Sequence, residues 1–196
     1  MKERGIIFSG EMVQAILEGR KTQTRRVMKP QPTKKLENLA GAWWTFYWMR
    51  NGMWEDAGKI MKCPYGMPGD QLWVRESYQL ADSIFYRADG MPDQEVLDLY
   101  PKWRWRPAIF MARVFSRITL EIVKIRVERV QEINNEDAKA EGMLDICPDG
   151  DEGCPYWSYR SSYQELWNKI NSKRGYSWFK NPWVWVIEFK RMEDRK

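Results

Sequence analysis

The chain contains no histidine. That absence removes Ser-His-Asp and Cys-His nucleophilic catalysis, and with them every zinc site built on imidazole. General acid–base work falls to Glu, Asp, Lys, Tyr or Cys. Cysteine is scarce as well: Cys63, Cys147 and Cys154 are an odd number, which argues against a disulfide framework. Cys147 and Cys154 are close enough to pair, but a cytosolic thiol pool would keep them reduced. A zinc site on these cysteines would have to borrow a carboxylate, so neither a metal nor a cofactor is expected. No window approaches the ~18 uninterrupted apolar residues of a membrane helix, and no membrane partner is expected. Met1-Lys2-Glu3-Arg4-Gly5-Ile6 has no apolar stretch long enough for a secretory signal, so a cytoplasmic location is expected by default.

What remains is basic and aromatic. The 196 residues include twelve tryptophans and carry a formal net charge of +5, a balance that suits a nucleic-acid or nucleotide partner. The length suffices for one domain with a sizeable core, and no repeat or low-complexity linker divides it. We therefore expect residues 1–196 to form a single domain. Nothing in the sequence speaks to the oligomeric state.

Apolar residues at helical spacing (Met12, Val13, Ile16, Leu17) predict a helix with Ser9 as its N-cap and Gly19 as its stop. Arg20-Lys21-Thr22-Gln23-Thr24-Arg25-Arg26 follows, and from Gly19 to Leu36 there are seven basic residues and no acidic one. This stretch is either a solvated basic loop or a site for an anion or polar ligand. Residues 33–66 are rich in Trp and Tyr, with a hairpin expected at Gly52; they make either a satellite core or a surface on which bases stack.

Pro68-Gly69-Asp70 signals a turn before a strand over Gln71–Tyr78, and Ile84–Arg87 reads as a short strand. Within Ser116–Val130, Ile118, Leu120 and Ile122 share one phase, while Val123, Ile125 and Val127 take the other. Such a switch predicts a β-bulge. A short helix is expected over 135–142, capped by Asn134 or Asn135 and stopped by Gly142. It ends on Glu141, where a carboxylate is unfavourable by ~0.3–1 kcal/mol, so something other than helix stability is expected to hold it there.

Residues Tyr159–Asn171 predict an amphipathic helix with Tyr159, Tyr163, Leu166, Trp167 and Ile170 on one face, and with Ser161 and Gln164 as a capping box. The chain closes on a strand whose Trp183, Trp185, Ile187 and Phe189 oppose Val184, Val186 and Glu188. Short strands punctuated by a few helices describe a small α+β barrel rather than a doubly wound sheet.

Gly19-Arg20-Lys21-Thr22-Gln23-Thr24-Arg25-Arg26 resembles the G-x-K-T-x-T-x-R signature of ASCH domains. Pro68–Glu76, Ala138–Gly142 and Trp185–Phe189 resemble later segments of that family, with insertions at about 33–62, 88–105 and 144–158. The resemblance is especially to larger, tryptophan-rich members from phages and prophages. The resemblance implies a PUA-like mixed β-barrel associated with RNA and modified nucleotides. One branch deacetylates N4-acetylcytidine with a Lys-Thr-Glu triad, which falls here on Lys21, Thr24 and Glu141.

Amide hydrolysis without histidine or metal needs a nucleophile, a base and a charge stabiliser. Thr24 supplies the hydroxyl. Lys21 takes its proton if burial or the neighbouring Arg20, Arg25 and Arg26 keep the amine neutral. Glu141 shuttles a proton to the leaving amine, and Arg26 holds the substrate or the oxyanion. This geometry requires Lys21 to sit in the turn after the helix, with the strand starting near Thr24, because residues three apart on a strand face opposite ways. Arg25, Thr22, Glu76 and Trp73 complete the expected substrate-binding set, with Glu76, an acid in an apolar strand, in need of a partner. Two alternatives remain: a non-catalytic module that binds RNA or a modified base, and a ribonuclease.

Overall fold

A computed structural model describes residues 1–32, 36–40, 43–50, 53–144 and 158–192, with side chains described outside 33–60. In chain order the elements are β1 (Glu3–Ile7), α1 (Gly10–Leu17), β2 (Gln23–Val27), β3 (Leu36–Ala40), β4 (Trp43–Arg50), β5 (Met53–Lys62), β6 (Gln71–Arg75), β7 (Tyr78–Leu80) and β8 (Ile84–Tyr86). They continue with α2 (Gln94–Leu99), β9 (Thr119–Arg129), α3 (Asn135–Ala140), α4 (Tyr159–Asn171) and β10 (Trp183–Arg191). The fold is α+β.

Its centre is a mixed sheet in the order β1-β6-β9-β10-β2, in which β1 and β6 run parallel and the other pairs antiparallel. The sheet curls enough for Arg26 on edge strand β2 to donate to the Ile7 carbonyl on the opposite edge strand, at 2.6 Å. β3, β4 and β5 form a separate antiparallel sheet, and β7 pairs with β8. The expected turn at Gly52 and the side chains of Trp43, Trp44, Phe46, Tyr47, Trp48 and Trp54 lie outside the described residues, as do Cys147 and Cys154.

Strand β10 is buried on both faces, and its alternation divides the core in two. Trp185, Ile187 and Phe189 pack with Leu72, Val74, Leu120, Ile122 and the Val13–Ile16 stripe of α1. Val184 and Val186 face Tyr163 and Trp167 of α4 and Ala138 of α3. Each large apolar side chain so buried contributes about 1.5–3 kcal/mol. The expected bulge is present: Glu188 pairs with Lys124 and Phe189 with Ile122, so Val123 is the extra residue. Val123 is consequently exposed rather than in phase with Ile125, as its apolar character had implied.

One helix cap and one strand end differ from expectation. The cap of α4 is Ser158, whose hydroxyl accepts from the Ser161 N–H, in place of the Ser161–Gln164 box. Ser158 takes this role because it is the last extended residue before the helix. The strand expected over Gln71–Tyr78 breaks after Arg75, where Glu76 turns inward onto Arg117 at 3.0 and 3.1 Å. Asn134 caps α3, accepting from the Asp137 N–H at 2.7 Å.

Candidate functional site

Gly19, at φ 76°, ends α1 and folds the chain back beneath it, so that the Lys21 N–H donates to the Ala15 carbonyl at 2.9 Å. Lys21 and Glu141 form an isolated antiparallel bridge, reinforced by Thr22 N–H donating to Ala140 O at 2.8 Å. Lys21 thus sits in an isolated bridge between helix and strand, and β2 begins at Gln23. Lys21 Nζ, fully buried, donates to Glu141 Oε2 at 2.8 Å and to the Glu141 carbonyl at 2.7 Å. Gly142 closes this corner at φ 87°; a Cβ there would lie 2.9 Å from Ala15 Cβ and 3.1 Å from Lys21 Cβ.

Burial pulls the Lys21 amine below its ordinary value, Glu141 opposes that shift, and Arg26 and Arg25 add to it. Arg20 does not belong to this set. Its side chain turns out to Glu18 at 2.6 Å and to the Gly142 carbonyl at 2.9 Å. The other Glu141 oxygen faces Arg25 at 3.5 Å, and Arg25 is braced in turn by Asp137 at 2.9 Å and Glu128 at 3.1 Å. Arg126 extends the brace to Asp137 at 2.9 Å and also contacts Glu128 and Glu188. Glu128, Asp137 and Arg126 escaped the sequence reading because each sits where a solvated residue is ordinary. Only the pairing of β9 and β10 with α3 above them joins the three.

Beside this cluster runs a cleft of about 660 Å³ along edge strand β2. Thr24 and Arg26 lie opposite Ile187 and Trp185, and Arg25 lies opposite Val186, so β2 sends side chains to both sides of the sheet edge. Phe8, Tyr65 and Trp185 line the cleft together with Tyr163, Leu166 and Ile170 of α4. Thr24, Arg25, Arg26 and Glu141 also line it, whereas Lys21 reaches it through Glu141. Among the described residues no hydrogen bond engages the Thr24 hydroxyl. The Arg26 guanidinium lies 5.0 Å from the Phe8 ring centre, and its Nε is buried with no partner among the described residues. Burial lowers its pKa. One terminal nitrogen of this guanidinium is held by the Ile7 carbonyl at 2.6 Å, but its charge has no carboxylate partner among the described residues, which suits it to an anion or a developing oxyanion.

Three of the expected binding residues do not line the cleft. Thr22 is exposed, its N–H and carbonyl taken by Ala140 and Phe189. Trp73 stands on the face of β6 opposite Leu72 and Val74, under the Arg75 guanidinium at 5.2 Å. Glu76 has its partner in Arg117, which Asp89 also binds. Conversely, Tyr163, Leu166 and Ile170, expected only as part of one face of an amphipathic helix, line the cleft because α4 lies over the sheet edge. Among the described residues no cluster of Cys, Asp and Glu forms a metal site, and no helix is long and apolar enough to cross a membrane.

Fold and site together define a mixed α+β protein with a cationic, aromatic cleft on its sheet edge and a buried Lys–Glu pair at the cleft's base. No protein-family model matches the chain, and no curated protein matches it. A crystal structure of an ASCH domain from Lactobacillus crispatus is similar in fold, with a TM-score of 0.43 and 10% identity over 97% of this chain and 79% of that one.

Proposed function

We propose that the cleft hydrolyses the amide of a modified nucleobase or nucleoside of the N4-acylcytidine type. The observation that carries this reading is the common placement of Thr24 and Glu141 on one cleft, with Lys21 hydrogen-bonded to Glu141 at 2.8 Å behind them. The cleft volume lies within the range of small-molecule sites, and Tyr65, Leu166 and Ile170, which keep part of their surface open, offer apolar contact for a base.

The chemistry follows from one shared proton. A buried Lys–Glu pair holds it on the amine or on the carboxyl. With the proton on Glu141, Lys21 is a free amine that takes the Thr24 hydroxyl proton as Oγ attacks the acyl carbonyl carbon. Arg26 stabilises the oxyanion, and Glu141 gives its proton to the departing exocyclic nitrogen, leaving an acyl ester on Thr24. Water then attacks the ester, Glu141 takes its proton, and Lys21 returns the first proton to the Thr24 oxygen. Acid and amine leave, and the site is restored.

The test is chromatographic detection of cytidine released from N4-acetylcytidine and longer N4-acyl cytidines, run beside Thr24→Val and Lys21→Met. Wild type should release cytidine, and each variant should lose about 10²–10⁴-fold in kcat. No turnover across the panel at high enzyme concentration refutes the hydrolase. A binding-only module for RNA or a modified base is the second reading. It is favoured by the fact that Lys21 Nζ already holds both the Glu141 carbonyl and its carboxylate.

A further inference from the structure

The cleft has more positive charge than amide hydrolysis of a neutral nucleoside requires. Among its described lining residues the acid is Glu141, and the cations are Arg25, Arg26, Lys29 and Arg174. Glu141 is committed to Lys21 and Arg25, and Arg25 is committed to Glu141, Asp137 and Glu128. Arg26, Lys29 and Arg174 therefore face the cleft with no carboxylate partner among the described residues.

The two outer cations are carried on anchored backbone. Lys29 follows β2 in a segment held by Gln31, whose side chain donates to the Met28 and Trp183 carbonyls at 2.8 and 3.0 Å and accepts from the Trp183 N–H at 2.8 Å. Arg174 follows α4 in a turn closed by Tyr176 N–H on Asn171 O at 3.1 Å and by Trp167 Nε1 on Tyr176 O at 2.8 Å. Lys29 Nζ lies 5.6 Å from the Tyr176 ring centre, which brings the two segments together at the cleft. Three uncompensated cations around one aromatic-walled cleft match a ligand that combines a base with an anion.

We infer that the ligand of this cleft carries a phosphate group, held by Lys29 and Arg174 at the rim and by Arg26 within. This rests on the reading of the cleft as a base-binding site, but not on turnover. The phosphate belongs to a free nucleotide or to the backbone of a single-stranded RNA.

The test is calorimetric titration of the full chain with cytidine, cytidine 5′-monophosphate and a short single-stranded RNA, repeated with the Lys29→Gln/Arg174→Gln variant. Both substitutions fall on exposed side chains and leave the core intact. The monophosphate should bind about tenfold or more tightly than cytidine, and that preference should shrink to about threefold or less in the double variant. If the RNA shows this dependence and the monophosphate does not, the phosphate is a backbone one. Equal affinity for cytidine and its monophosphate, with RNA binding indifferent to the double substitution, overturns the inference. Release of cytidine from N4-acetylcytidine with no phosphate preference would remove this inference and leave the hydrolase reading standing. The converse pair of results would remove the hydrolase reading alone.

Discussion

Glu141→Gln keeps the volume of the Lys21 partner and deletes its charge. Lys21 then remains a cation with its side chain at 0% exposure, facing carbonyl oxygens in place of a carboxylate. Removing one member of a buried ion pair costs about 3–5 kcal/mol, a large share of the about 5–15 kcal/mol that holds a domain folded. Lys21 has one way to relieve that cost, which is to lose its proton. Burial already holds the amine below 10.5, and deleting Glu141 removes the two influences that raise it, so its value in the folded variant drops further.

The sign follows from proton counting. Between the folded Lys21 value and 10.5 the unfolded chain binds more protons than the folded one, so stability rises with pH through that window. In the variant the window opens at lower pH. Urea unfolding from about pH 6 to about pH 9 should therefore show the deficit of Glu141→Gln against wild type shrinking as pH rises. The Lys21→Met/Glu141→Gln double variant should recover much of the loss, since no buried charge is left unpaired. A deficit of about 1 kcal/mol or less at neutral pH, the level of a surface pair, would refute the buried pair. A deficit that does not change with pH would refute the role assigned to Lys21.

Asn134→Ala removes the cap of α3, and about 1 kcal/mol of stability should go with it in thermal or urea unfolding. Gly142→Ala forces a side chain to φ 87° and places its Cβ against Ala15 and Lys21; a loss of about 1–3 kcal/mol is expected, together with loss of any turnover that depends on Lys21. Cys63 is buried, which pushes its thiol up to about 11, so mass-mapped alkylation at neutral pH should leave Cys63 unlabelled until the chain is unfolded.

Patterns of short range were legible in the chain. The period of α4 marks Tyr159–Asn171, the alternation of β10 assigns its residues to two faces, and the phase switch in β9 marks a bulge. Each is a consequence of local backbone geometry acting on neighbouring side chains. Gly19 and Gly142 were readable as helix stops for the same reason, since their positive φ excludes most other residues.

What depends on distant segments was not legible. That Glu76 needs a partner follows from its setting in an apolar strand, but Arg117, 41 residues on, is chosen by where β9 begins. Arg20 and Arg25 are indistinguishable in a basic run, yet one turns to solvent and the other is buried against Asp137, Glu128 and Glu141, because only the second lies within the β2–β10 ladder. The apolar face of α4 is one continuous stripe in the sequence, yet Tyr163 and Trp167 pack into the core while Leu166 and Ile170 keep open surface along the cleft beside edge strand β2. Sequence alone determined the helices α1, α3 and α4, the faces of β9 and β10, the charge and the residue types available for chemistry, since these follow from local propensity and composition. The tertiary structure alone decided which cations are paired and which face the cleft, because ion pairing and burial depend on distances that only the folded chain sets.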